Sequence, residues 1–231
     1  KMINKNKGVI IYKQLVKDNH LFIKILTSND EVIPAYIYGG NTSKKRNIYQ
    51  NGYFIEFNYN NRKFSKINSI SAIITEPYLY KIMENKYKSF AVLTIISILN
   101  ISIYEGVIIK GIFLSISNLF HFLNNKKIWL SEYCIWMMDY LKLLGYDIDY
   151  KNNYGKNYFN LNDYKFQNNK CKNSIIFPHH IFKRNNFNYK NLIAFFEIFE
   201  NIFIKNVLNN SINKMPDIYF KFKNIIISDI K

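Results

Sequence analysis

The chain has 231 residues and 48% apolar composition, enough to bury a full core as one large domain or two small ones. Lys and Arg number 32 against 16 Asp and Glu, and a formal charge of +16 favours a polyanionic partner, nucleic acid or an anionic membrane surface, because each neutralised phosphate releases condensed counterions. Two cysteines, Cys134 and Cys171, lie far apart without a CxxC pair, so neither a disulfide framework nor a structural zinc site is indicated and a reducing cytoplasm fits.

Part of the charge reflects composition, since saturation with Lys, Asn, Ile, Tyr and Phe is what an AT-biased genome imposes. Residues 1–76 nevertheless hold 12 basic and 5 acidic side chains, and the remaining 155 residues carry +9. The N-terminus has no apolar stretch with a small-residue cleavage site, so it reads as the start of a mature chain and not as a secretory signal.

Residues 8–76 read as β structure, because β-branched and aromatic runs alternate with polar turn clusters. The first strand runs from Gly8 to about Val16. Lys17, Asp18 and Asn19 turn it into the second, His20 to Leu26, and Ser28, Asn29 and Asp30 make the next turn. Val32 to Tyr38 is the third strand, ending at Gly39 and Gly40, whose freedom at positive φ lets the backbone leave the sheet. Asn51 and Gly52 open the fourth, Tyr53 to Tyr59. Asn60 and Asn61 turn it into the fifth, Phe64 to Thr75, bent near Asn68 and Ser69. Five short antiparallel strands predict a small closed barrel of the OB kind.

At Glu76 and Pro77 the apolar period changes from two to about 3.6, so the domain boundary is placed there: a barrel over 1–76 and a helical domain over 77–231, an α+β chain. Helices are expected at about 77–99, 105–123, 129–144 and 188–209. Residues 150–187, rich in Asn, Lys and Tyr without a sustained period, read as an irregular surface excursion. The apolar stretch Phe90 to Leu123 is interrupted by Asn100, Glu105, Gly106 and Lys110, which favours buried helices over a membrane span.

The segment with most chemical content is Gly39 to Gly52. Its glycines allow close approach to a backbone, Thr42 and Ser43 carry hydroxyl donors, and Lys44, Lys45 and Arg46 supply charge for phosphate. Lys13, Lys24, Arg62, Lys63 and Lys66 extend the track, and Tyr36, Tyr38, Tyr49, Tyr53 and Tyr59 are candidates to stack on bases, although strand alternation turns only half of them outward. Asp147 and Asp149 form an Asp-x-Asp better explained by capping than by a metal, and His179 with His180 reads as a surface loop. No GxxxxGK[ST], GxSxG or HExxH occurs, so the chain is read as a binding protein and not an enzyme, with no cofactor and no metal.

The order Gly8-Val9-Ile10, a strand end at Leu26-Thr27, then Gly39-Gly40-x-x-Ser43-Lys44-Lys45-Arg46-x-x-x-Gln50-x-Gly52 resembles the N-terminal domain of the RecO family. The helix from Trp129 to Leu144 followed by Gly145-Tyr146-Asp147-Ile148-Asp149 is similar to an element of that family. Met215-Pro216 resembles its Leu-Pro-x-x-Arg stretch, with the Arg absent here. Taken together these motifs span most of the chain. The resemblance implies an OB-fold binding single- and double-stranded DNA, a helical domain, strand annealing, and partnership with RecR and the C-terminal tail of single-strand-binding protein to load RecA. It also implies a bacterial, cytoplasmic, nucleoid-associated protein with no membrane partner. Many RecO proteins carry a four-cysteine zinc module in the excursion, where this chain has only Cys171. Two rival readings remain: an RNA-binding OB protein of translation or RNA processing, and a membrane-surface or integral protein using Phe90 to Leu123.

Overall fold

The computed structural model describes residues 6–60, 68–126, 128–182, 187–209 and 211–230. Five strands form the N-terminal barrel: β1 (Asn6–Leu15), β2 (Leu21–Thr27), β3 (Val32–Ile37), β4 (Phe54–Asn60) and β5 (Ser69–Glu76). The barrel closes in the order β1-β2-β3-β5-β4, with β4 returning to β1 and the β3–β5 junction parallel at Tyr36 and Ser69. This is the OB-fold expected from the sequence.

Alternation places Ile10, Leu21, Ile23, Ile25, Ala35, Ile37, Ile55, Phe57 and Ile70 inside the barrel. The pairing of β1 with β2 slips between Ile10 and Tyr12, so that Val9, Ile10 and Ile11 are all buried before alternation resumes. Gly8 is required by close approach, since a Cβ there would stand 2.4 Å from Ile25 Cγ2 and 2.8 Å from the Leu26 carbonyl oxygen.

Strand gives way to helix at Pro77, with α1 (Tyr78–Met83), α2 (Lys86–Ser102) and α3 (Ile112–Asn125) following. The expected helix over 77–99 is broken at Asn85, whose side chain accepts from the Lys88 N–H at 3.1 Å and starts α2 afresh. The next begins at Ile112 rather than 105. Gly106 and Gly111 hold positive φ (77° and 84°), and the segment between α2 and α3 pairs instead with the barrel through Glu31–Ile108 and Val32–Glu105 bridges. Asp30 then caps α3, accepting from the N–H groups of Gly111 and Phe113 at 2.7 and 2.9 Å. Phe54 packs edge-on to Tyr78, Phe113 and Phe120, so these helices sit on the barrel. Contacts divide the chain into two compact units, Lys1–Asn124 and Asn125–Lys231.

The second unit contains α4 (Leu130–Leu143), β6 (Tyr158–Asn160), β7 (Phe166–Gln167), β8 (Ser174–Ile176), α5 (His179–Phe182), α6 (Tyr189–Ile202) and α7 (Asp217–Ile230). Within the excursion the described residues form a small sheet in the order β7-β6-β8. Phe159, Phe166 and Phe177 cluster on it with ring separations of 4.8–5.8 Å, and Tyr150 stacks on Phe182 at 4.4 Å. His179 belongs to this cluster. It is buried, its ring 4.7 Å from Phe177 and its Nε2 2.9 Å from the Lys156 carbonyl oxygen, which corrects its reading as surface; only His180 is exposed. The helix expected to run to 209 changes at its end into a π-helical turn, Phe203–Leu208. The helix α7 was not expected. It forms because Tyr219, Phe222 and Ile226 recur on one face and are buried against a core that includes Tyr133 and Phe196.

Candidate nucleic-acid interface

The basic loop lies between β3 and β4. Gly39 takes φ 61°, and successive turns follow, with the N–H groups of Lys45 and Arg46 both donating to the Thr42 carbonyl at 3.0 and 2.9 Å. Gly40 is needed for packing, since a Cβ would meet Ile37 and Leu21 at 2.9 Å. The loop is therefore a built element with Ser43, Lys44, Lys45 and Arg46 exposed along it. Lys45 Nζ donates to the Tyr38 carbonyl oxygen at 3.2 Å, holding one cation at the end of β3.

Lys13 reaches this loop from β1. Its ammonium donates to Gln50 Oε1 at 2.6 Å, while the amide nitrogen of Gln50 donates to the Arg46 carbonyl at 2.6 Å. Burial lowers the basicity of Lys13 from its ordinary value. Lys13 is thus partly a brace for the loop.

Next to the loop, the outer face of β1–β3 carries a group of rings. Tyr36 and Tyr38 pack edge-on with centroids 4.8 Å apart, and His20 meets them at 5.6 and 5.1 Å. Across the register, Phe22 pairs with Tyr36 and with Gln14, and its ring lies 6.3 Å from Tyr12. Lys24 sits above the Tyr12 ring at 6.0 Å and forms an ion pair with Glu105 at 3.1 Å, so its charge is shared with a carboxylate. Rings for stacking with cations beside them are the chemistry of a single-strand binding face, because every base offers a π-face and every nucleotide a phosphate.

Of the five candidate tyrosines, Tyr36 and Tyr38 lie on this face. Tyr49 does not: it is 2% exposed in the barrel core, and its hydroxyl accepts from the Ala72 N–H at 3.2 Å. Tyr53 is half-buried against the same core, and Tyr59 is exposed beside Phe57. Arg62, Lys63 and Lys66 lie outside the described residues. Tyr12, His20 and Phe22 were missed by sequence reasoning. Strict alternation from Phe22 through Lys24 would have placed Phe22 outward, whereas Tyr12 is put there by the slip at Ile11, which alternation alone does not reveal.

The remaining sequence candidates are structural. Asp147 pairs with Lys142 at 2.8 Å, and Asp149 receives the Asn152 side chain at 2.9 and 3.1 Å, closing the turn after α4. Among the described residues no three His, Cys, Asp or Glu side chains come together, and the exposed Cys171 has its sulfur 3.7 Å from the Asn169 carbonyl oxygen. Among the described residues no helix is long and apolar enough to cross a membrane.

No family model matches the chain. It is similar to two curated proteins, each described as DNA repair protein RecO. With the one from Rickettsia canadensis (strain McKiel) it is 26% identical over 147 residues, which cover 63% of this chain and 59% of that protein. With the one from Orientia tsutsugamushi (strain Boryong) it is 24% identical over 144 residues, covering 62% of this chain and 60% of that protein. The chain spans about three fifths of the length of the curated relatives it matches.

Proposed function

We propose that this chain is a RecO-type mediator of DNA repair and recombination that binds DNA without reading its sequence. It performs no covalent chemistry. The observation that carries this reading is the outer face of β1–β3, where Tyr12, Phe22, Tyr36 and Tyr38 gather and Tyr38 leads into the loop of exposed cations Lys44, Lys45 and Arg46, with Lys45 bonded to the Tyr38 carbonyl. The likeness to two RecO proteins supports the same reading.

Phosphates repel one another when two strands approach. Cations on the loop neutralise that charge, and stacking on the rings leaves the base edges free to pair, so annealing follows without nucleotide hydrolysis. On the family resemblance, RecR and the acidic tail of single-strand-binding protein are the protein partners, with RecA loading downstream, in the bacterial cytoplasm at the nucleoid.

The test is annealing of two complementary oligonucleotides already coated with their cognate single-strand-binding protein, with and without this chain. Acceleration that needs no nucleoside triphosphate supports the mediator reading. Tight binding without acceleration, together with preference for RNA over matched DNA, would move the function to RNA, where the 2′-hydroxyl is the distinguishing group.

A further inference from the structure

A second concentration of positive charge lies outside the barrel sequence. Residues 150–190 hold eight basic side chains and one acidic, Asp163, within 41 residues. The small sheet gathers part of this charge at one end. The Asn160 N–H donates to the Lys165 carbonyl on one side of β6, and the Leu161 N–H donates to the Asn173 carbonyl on the other, both at 3.0 Å. Lys165 and Asn173 therefore flank the end of β6, roughly two strand spacings or about 10 Å apart across the sheet, and Lys172 is the chain neighbour of Asn173.

A third cation comes from the π-helical turn that follows α6. Lys205 Nζ lies 3.4 Å from the Leu161 carbonyl oxygen, and the Asn201 amide, turned to donate to that carbonyl at 3.0 Å, accepts from Lys205 at 3.3 Å. Lys205 and Asn206 belong to the π-helical turn, and Asn206 donates to the Tyr164 hydroxyl at 2.8 Å in the same β6–β7 turn. Single π-turns are rare and recur at functional sites because they re-aim side chains. Here the turn brings a cation against the basic end of the sheet.

We propose that this end of the sheet is a second nucleic-acid contact, in which Lys165, Lys172 and Lys205, with Lys170 beside them, take the phosphate backbone of a single strand. The proposal rests on the reading of the chain as a nucleic-acid-binding protein. Lys165, Lys170 and Lys172 are exposed, and among the described residues no carboxylate forms an ion pair with their ammonium groups, although the Asp163 carboxylate in the same turn accepts from the Lys165 N–H at 3.1 Å. Around them the turns supply Asn162, Asn168, Asn169 and Asn173, whose amides donate to phosphate and sugar oxygens. The exposed Ile176 pairs with Tyr158 at the opposite end of the sheet. With the barrel face, one chain would hold two strands, raising the effective concentration of one for the other.

The test compares the full chain with K165Q/K172Q/K205Q, which removes three charges but keeps hydrogen-bonding capacity, and with K44A/K45A/R46A. Titration of a fluorescent twelve-nucleotide thymidine oligonucleotide at low salt should give two bound per wild-type chain and one per chain in each variant. The salt slope of K165Q/K172Q/K205Q should flatten by about 2 units. If the Lys205 change alters the thermal melt, the double variant K165Q/K172Q carries the test with a flattening of about 1.4 units. One oligonucleotide per wild-type chain, or an unchanged slope in the glutamine variants, overturns the second contact while leaving the barrel reading intact. Wild-type chain that binds no oligonucleotide overturns both. Retention on phosphatidylglycerol vesicles, lost in K165Q/K172Q/K205Q, without a second oligonucleotide would assign the patch to lipid instead.

Discussion

The backbone N–H of Gly39 donates to Nδ1 of His20 at 2.8 Å, tying the turn between β1 and β2 to the first residue of the basic loop. The Asn41 N–H repeats the link by donating to the Asn19 carbonyl at 2.9 Å. Two parts of the barrel surface separated by 19 residues are thereby fixed to one another, and the ring of His20 is held against Tyr36 and Tyr38. Replacing His20 by Ala should cost roughly 1–3 kcal/mol, through the Gly39 N–H left without this partner. Amide exchange should quicken at Gly39 and Asn41 but not in β4. Unchanged protection at both would show that the loop holds itself.

The triple substitution K44A/K45A/R46A should weaken binding evenly across DNA sequences. Its salt slope should flatten by about 2 units on single strands and nearly 3 on duplex, since each lost phosphate contact removes about 0.7 or 0.9 units. Fluorescence anisotropy over a salt series measures this directly. A slope equal to that of the unaltered chain would mean that the loop does not touch phosphate.

Tyr36→Ala and Tyr38→Ala should act differently from the loop variant. Stacking contributes about 1–3 kcal/mol per base, so each change should weaken single-strand binding by roughly 5- to 150-fold with little effect on the salt slope. Duplex, whose bases are already stacked, should lose far less. Equal losses on both forms would place these rings outside the contact.

Most of the barrel was legible because its strands keep the period-two pattern that one buried face demands. Prediction and structure agree within about two residues at both ends of β2, β3 and β4. Pro77 likewise marked the first helix. What escaped had physical causes specific to its residues. Which of the five tyrosines turn inward was not legible: Tyr49 enters the core because its polar hydroxyl is satisfied by the Ala72 N–H. Gly106 and Gly111 sat inside an apolar run that reads as helix, yet their positive φ serves a loop bridged to β3. The α7 helix contains Ile225, Ile226 and Ile227 in succession, a β-like signature overridden by burial of Tyr219, Phe222 and Ile226 on one face. The basic loop was found from its composition, whereas Tyr12, His20 and Phe22 joined the site through register alone.

Gly8→Ala tests the close approach of β1 to β2. The new methyl would stand 2.4 Å from Ile25 Cγ2 and 2.8 Å from the Leu26 carbonyl, and backbone cannot rotate away as a side chain end can. Overpacking of this kind costs about 1–3 kcal/mol, and the barrel unit should melt lower by roughly 3–6 °C for each of them. A melt identical to that of the parent would show that β1 shifts freely.

Tyr133 and Tyr219 predict how the second unit responds to alkali. Burial pushes both phenols well above the ordinary tyrosine range, and for Tyr219 the nearby Glu200 carboxylate adds to the shift. Each folded value lies above its unfolded one, so the neutral phenols contribute stability that is intact below about pH 10 and declines as pH rises, because the unfolded chain releases protons that the folded chain retains. The Tyr133 hydroxyl has no hydrogen-bond partner among the described residues, so Tyr133→Phe removes a buried polar group at little cost near neutrality. Denaturant midpoints followed by fluorescence from pH 8 to pH 11 should therefore fall less steeply for Tyr133→Phe than for the parent. Parallel curves would mean that this phenol ionises as readily in the folded chain as in the unfolded one, which its burial forbids.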